Sequence, residues 1–276
     1  MKRLTRKRTA FGMALGLLVA VAGRPSARAQ PAGPTTKPAP KASPQVMRIL
    51  SALEEAGDRY AALRADIQYV YVDEALGDRE ERTGWVAYQK ADKAKKAPAK
   101  FRIQFQTLRQ GRGKVLKDKI DYAFDGLWLT VAKHRIKTIT RYQVAAKGEK
   151  VEPMKLGQGP LPLPFGQKTD DMLAHFQITT RAIRKDEPKN TDYLHLATRP
   201  RFRKSMNVKT LQMWIDKKTH LPTKIVSTDK NDNTTMVVFQ NVQTDPKLPA
   251  DTFGLPKPPG WTLDVKHLKP GAKLTP

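Results

Sequence analysis

The repeat of apolar residues along this chain changes period once, and that change limits what the chain can fold into. From 44 to 63 the apolar residues stand at Val46, Ile49, Leu50, Leu53, Ala56 and Tyr60. This is the i, i+3, i+4, i+7 spacing of an amphipathic helix, with Ser43 or Pro44 placed to start it. Beyond it the period is two. Ile67, Tyr69 and Tyr71 alternate with Gln68 and Val70, and strand-like runs follow at 83–90, 100–108, 120–124, 127–133 and 136–144. They resume at 177–185, 193–198, 209–216, 223–228 and 234–244, giving about eleven short strands. Turn signals separate several of them, among them Asp125-Gly126, Lys147-Gly148 and Lys230-Asn231-Asp232-Asn233. Only 169–176 and a turn at 249–253 offer further helix. The pattern predicts a mainly β fold built as one curved antiparallel sheet or barrel.

Alternation assigns faces as well as elements. In 100–108, Phe101, Ile103 and Phe105 point one way, and Arg102, Gln104 and Gln106 the other. Trp85 and Ala87 lie opposite Val86 and Tyr88, while Leu211, Met213 and Ile215 lie opposite Gln212, Trp214 and Asp216. An apolar sheet face must be covered, and two short helices are a small cover for about eleven strands. Either the sheet closes into a packed barrel or it leaves a hollow apolar concavity.

The N-terminus sets the compartment. Lys2, Arg3, Arg6, Lys7 and Arg8 precede an uncharged apolar run at 10–23, which ends at Ala27-Arg28-Ala29. That is a secretory signal with a small-x-small cleavage site, and its run is shorter than the ~20 residues needed to span a bilayer. Residues 1–29 read as a signal peptide cleaved to leave Gln30 in the periplasm, and 30–44 as a Pro/Ala-rich disordered linker. The domain proper is expected over 45–276. Removing the leader's seven basic residues leaves 44 Lys and Arg against 26 Asp and Glu, a net charge of +18. A basic exported chain favours anionic partners, phospholipid headgroups or acidic polysaccharide ahead of nucleic acid. There is no cysteine, which excludes thiol nucleophiles, zinc–cysteine sites and iron–sulfur ligation.

Catalytic patterns are missing. No G-x-S-x-G elbow occurs, and His134, His175, His195, His220 and His267 have no metal-ligand spacing. Gly111-Arg112-Gly113-Lys114 lacks the spacing and the Ser or Thr of a phosphate loop and reads as a hairpin tip. The acidic pairs Glu80-Glu81, Asp170-Asp171 and Asp186-Glu187 read as solvated segment ends. No catalytic residue, metal or cofactor is expected, and the chain is not expected to be an enzyme.

Taken in order, several short motifs resemble the periplasmic lipoprotein carrier family of LolA and LolB. They are Arg64-Ala65-Asp66-Ile67 after the leader helix, Gly84-Trp85-Val86, Pro98-Ala99-Lys100-Phe101-Arg102 and Asp125-Gly126-Leu127-Trp128. They continue through 211–222 (LQMWIDKKTHLP), Asn241-Val242, 248–253 (LPADTF) and Pro259-Gly260-Trp261. The resemblance runs from Gln45 to Trp261. It implies an unclosed antiparallel β-barrel of about eleven strands, with an N-terminal helix and a short helical lid over an apolar concavity. Trp85, Phe101, Ile103, Phe105, Trp128, Leu211 and Met213 are expected to line that concavity and hold lipid. The implied function is a chaperone-like periplasmic carrier that moves acyl chains of lipoproteins or lipids across the envelope. Its implied partners are acylated cargo, an inner-membrane release complex, an outer-membrane acceptor and, transiently, the anionic membrane surface, with the carrier itself a monomer. The family's lid-latching basic residue corresponds to Ala97 here, with Lys96 one place earlier, and the stretches 91–99 and 160–166 (PLPLPFG) are additional. The alternative from another class is a non-carrier envelope sensor or an anionic-polysaccharide-binding module on the same scaffold.

Overall fold

The computed structural model describes residues 42–92, 94–144 and 167–267. The leader, the linker up to residue 41, the Lys147-Gly148 turn and the Pro-rich stretch 160–166 lie outside the described residues.

Helix α1 (Pro44–Arg59) starts where the sequence places it. Ser43 Oγ accepts the Val46 N–H at 3.3 Å, and Pro44 occupies the first turn, where its missing N–H is no loss. Val46, Ile49, Leu50, Leu53 and Ala56 form its buried stripe. The chain then enters β1 (Ala62–Asp73) and continues as an antiparallel meander through β2 (Asp78–Gln89), β3 (Lys100–Gln110), β4 (Leu116–Phe124), β5 (Trp128–Lys133) and β6 (Thr138–Gln143). After α2 (Thr169–His175) come β7 (Phe176–Thr179), β8 (Thr191–Thr198), β9 (Val208–Asp216), β10 (Pro222–Asp229), β11 (Thr234–Thr244) and β12 (Thr262–Lys266).

All twelve strands form one sheet in the order β12-β6-β5-β4-β3-β2-β1-β11-β10-β9-β8-β7. The sheet is mainly antiparallel and open, because its two ends, β12 and β7, do not pair with each other. The described residues thus hold twelve strands where about eleven were expected, and the one not anticipated is β12. β12 runs parallel to β6, and all five of its residues are exposed, so it carries no alternating burial for a sequence pattern to reveal. The strand expected at 177–185 is also shorter than expected, ending at Thr179.

Bulges bend the sheet at Arg64/Asp66, Glu81/Gly84 and Phe105/Thr107. Gly84 occupies one of these bends. A Cβ built there would lie 1.9 Å from the Gln104 carbonyl oxygen, so only glycine lets β2 approach β3 so closely. Gly126, at φ +107°, turns the β4–β5 hairpin tightly enough that a Cβ would lie 2.2 Å from the Pro98 ring. Two of the motifs found in the sequence thus meet in space.

Candidate functional site: the apolar face and its helical cover

Register fixes which residues share a face. Tyr88, Phe101 and Phe124 stand side by side across β2, β3 and β4, as do Val86, Ile103 and Tyr122. On the other half of the sheet, Leu196 and Leu194 of β8 pair with Leu211 and Met213 of β9. These residues join α1's buried stripe in one continuous core that also includes Met172 of α2. Five of the expected lining residues are therefore brought together on the inner face: Phe101, Ile103, Phe105, Leu211 and Met213. All are buried, and Phe101 is only 2% exposed, stacked on Phe124 at a ring-centroid distance of 5.7 Å. The inner face is covered by helix and filled by side chains.

Trp85 and Trp128 are corrections. Trp85 pairs with Gln104 and Asp66, and Trp128 pairs with Gln143, so both lie on the outer face. Trp85 belongs to the polar set of its strand because Val86, one residue on, pairs with Ile103. Its indole N–H donates to Gln104 Oε1 at 3.2 Å, and the guanidinium groups of Arg64 and Arg102 lie 4.6 and 5.4 Å from its ring centroid. Trp128 carries Arg141 at 4.8 Å. These are cation–π pairs on a half-wet surface.

The outer face also holds a polar centre that sequence reasoning missed. Asp121 is fully buried. Its Oδ1 accepts from Arg102 Nε at 3.0 Å and from Gln104 Nε2 at 2.7 Å, while His134 Nε2 lies 2.7 Å from its Oδ2. Arg102 also donates to the Thr252 carbonyl at 3.1 Å, and the His134 ring meets Trp261 edge-on at 4.9 Å. A buried carboxylate is tolerable only when it is paired and hydrogen-bonded in this way. The pairing fastens the C-terminal segment 245–261 across the sheet. The only available signal was the ordered pairing of the Pro98–Arg102 and Leu248–Phe253 motifs.

An ionic feature marks the inner face as well. Arg82 is buried near Phe105, donating to Glu80 Oε1 at 2.6 Å and to Asp118 Oδ2 at 3.0 Å. It closes the end of the apolar face where two bulges meet.

Helix α2 is held at both ends by polar contacts. Glu54 of α1 accepts the Thr169 N–H at 2.9 Å and pairs with Lys168 at 3.0 Å. Lys168 also reaches Asp58 at 3.3 Å, and Asp58 pairs with Lys90 at 3.1 Å. The Thr169 N–H holds the Glu54 carboxyl below its usual range, with Lys168 assisting. The Lys90 hydrogen bond does the same for Asp58. At the other end, Arg199 Nε donates to the Leu173 carbonyl at 3.0 Å and Arg201 to the Ala174 carbonyl at 3.1 Å. An acid at the helix start and cations at its end both suit the helix dipole.

Among the described residues no group of three His, Cys, Asp or Glu side chains could hold a metal ion, and no helix is long and apolar enough to cross a membrane.

The arrangement defines a class: an open β-sheet scaffold whose single apolar face is closed by helices. Part of the chain is similar in sequence to one family of that class. The sequence model of the outer membrane lipoprotein carrier protein LolA matches residues 165–256, from just before α2 to just past the Phe253 turn. No curated protein matches the chain. Among solved structures, an uncharacterized conserved protein from Thermus thermophilus is similar at 10% identity and a TM-score of 0.46, over 80% of this chain and 99% of that one. MucB of Pseudomonas aeruginosa, in complex with MucA, is similar at 12% identity and a TM-score of 0.42, over 77% of this chain and 61% of that one. LprF from Mycobacterium bovis shares 10% identity at a TM-score of 0.42, over 77% of this chain and 99% of that one.

Proposed function

We propose that the chain is an exported carrier that shelters acyl chains of lipoproteins or lipids against the inner apolar face and moves them across the cell envelope. The observation that carries this reading is the nature of the cover. The inner face is closed by helices, and α2 is joined to α1 through half-exposed polar contacts. Phe101, Ile103, Phe105, Leu211 and Met213 form the lipid-contacting surface, and α2 acts as the lid over it.

The energetics suit a reversible exchange. Each buried methylene is worth about 0.8 kcal/mol, so a sixteen-carbon chain brings about 12 kcal/mol of burial. The ligand must displace part of the cover, and that cost keeps net affinity below what burial alone would give. Apolar contact is non-directional, so an acyl chain can replace helix side chains on the same surface. The Glu54–Lys168–Asp58 cluster takes the latching role that Ala97 cannot perform.

Native mass spectrometry of protein purified from the envelope tests the reading. A co-purifying acyl lipid, released on heating and replaceable by a fluorescent fatty acid, is the expected result. A bare protein that takes up no apolar probe would count against it.

A further inference from the structure

The large apolar residues left exposed are not scattered. The four most open among the described residues are Leu76, Val115, Leu116 and Ile136, at 61, 61, 59 and 60% exposure. All four lie in or beside turns on the same end of the sheet: the β1–β2 turn, the β3–β4 hairpin, where Leu116 opens β4, and the β5–β6 turn. Neighbouring contacts hold these turns together. The Gly111 N–H donates to the Arg79 carbonyl at 2.7 Å, joining the first to the second, and Arg135 lies 3.7 Å from Asp118, joining the second to the third. Among the described residues, no exposed large apolar side chain falls on the turns at the opposite end.

Charge gathers at the same corner. Arg112, Lys114, Lys117, Lys119, Arg135 and Lys137 are all exposed around Val115, Leu116 and Ile136. The one carboxylate between residues 109 and 119, Asp118, is buried against Arg82. Exposed aliphatic tips ringed by cations, of which Arg135 alone reaches a carboxylate among the described residues, are unfavourable in water and complementary to one kind of surface. An acidic protein would satisfy the cations. Three separate tips at nearly equal exposure, however, call for a deformable apolar phase behind an anionic layer.

We propose that this corner docks on an anionic lipid bilayer. Val115, Leu116 and Ile136 enter the boundary between headgroups and acyl chains, and the surrounding Lys and Arg side chains contact the headgroups. The turn backbones stay at headgroup depth, where their amides remain hydrated. Leu76, flanked by Asp73, Glu74 and Asp78, marks the margin of the contact. The same end of the sheet carries the loop from which Arg199 and Arg201 hold the last carbonyls of α2, so docking brings the lid's attachment toward the membrane. The docking does not depend on the carrier reading, because a protein that held no acyl chain would dock through this corner equally well.

The absence of cysteine permits a clean site-specific test. A polarity-sensitive dye is attached at Val115→Cys and, separately, at Lys218→Cys on the opposite end. The probe surfaces are vesicles of phosphatidylcholine with about one-third phosphatidylglycerol, pure phosphatidylcholine vesicles and soluble polyglutamate. The expected result is an apolar shift and quenching by lipid-borne quenchers at 115, with no change at 218, only on anionic vesicles. Val115→Ser with Leu116→Ser, at exposed positions that leave the core intact, should weaken vesicle binding about tenfold. Lys114→Ala or Lys117→Ala should weaken it about fivefold at low salt. The proposal is overturned by an aqueous dye at 115 on vesicles that nevertheless hold the protein, by no binding at low salt, or by insertion at 218. Polyglutamate shifting the 115 dye as strongly as vesicles do would assign the corner to an acidic polypeptide instead. Uptake of a fluorescent fatty acid, measured on the same variants, reports the carrier reading separately.

Discussion

Helices α1 and α2 cover the same apolar face and are held to it by different forces. α1 buries Val46, Ile49, Leu50, Leu53 and Ala56 and runs directly into β1. At about 1.5–3 kcal/mol for each fully buried large aliphatic side chain, its attachment is of the same order as the stability of a whole domain. α2 is seven residues long and buries only Thr169 and Met172. Its other ties are hydrogen bonds and half-exposed ion pairs, worth roughly 1 kcal/mol or less each. The difference teaches which part of the cover can move. α1 belongs to the core, and α2 is the part that the proposed carrier would use as a lid.

The largest effect should come from charging the inner apolar face. Phe101→Glu places an unpaired carboxylate against Phe124 and should cost several kcal/mol, enough to unfold the protein or drop its melting temperature steeply. Survival of the fold with a near-normal melt would show a wetter inner face than the described packing. Next is α1 itself. Leu50→Ala leaves a cavity in the buried stripe and should cost about 2–5 kcal/mol in denaturant unfolding. A loss under about 1 kcal/mol would make α1 as loosely held as α2 and erase the contrast between them.

Smaller effects belong to α2. Glu54→Gln weakens the Thr169 cap and the Lys168 pair, so global stability should fall by no more than about 1 kcal/mol. Amide hydrogen exchange in 169–175 should nonetheless quicken while α1 stays protected. Equal acceleration in both helices would mean that they move as one body.

Acid should produce the same loosening without mutation. Glu54 and Asp58 titrate below their ordinary values of 4.5 and 3.8, so the folded state favours their charged forms. That stabilisation is complete above the ordinary values and is lost as pH falls through the depressed ones. Exchange at α2 should therefore rise only beneath about pH 4, while a rise near neutrality would point to a different latch.

Much of the fold was legible because period and burial coincide on one-sided elements. The stripe of α1, the alternation around Phe101 and the turn at Asp125-Gly126 each carry a local pattern with a local cause. β12 was not legible because an exposed parallel edge strand has no pattern to read. The misplacement of Trp85 and Trp128 has a different origin. The resemblance put both on the apolar face, but Arg64, Arg102 and Arg141 make the opposite face a good place for an indole. The motifs that carried the resemblance proved to mark fastenings. Pro98, Arg102, Gly126, Thr252 and Trp261 hold the hairpins and the C-terminal segment on the outer face. The ties of α2 were hidden because Glu54 and Thr169 lie 115 residues apart, a separation that no local pattern spans.

The measurement that bears most directly on the carrier reading is titration of the wild-type protein with a sixteen-carbon fluorescent fatty acid, with hydrogen exchange followed on both helices. The lid reading predicts saturable binding, with protection lost across 169–175 and retained across α1 and β3. No saturable binding, or binding that leaves the exchange of α2 unchanged, would contradict it.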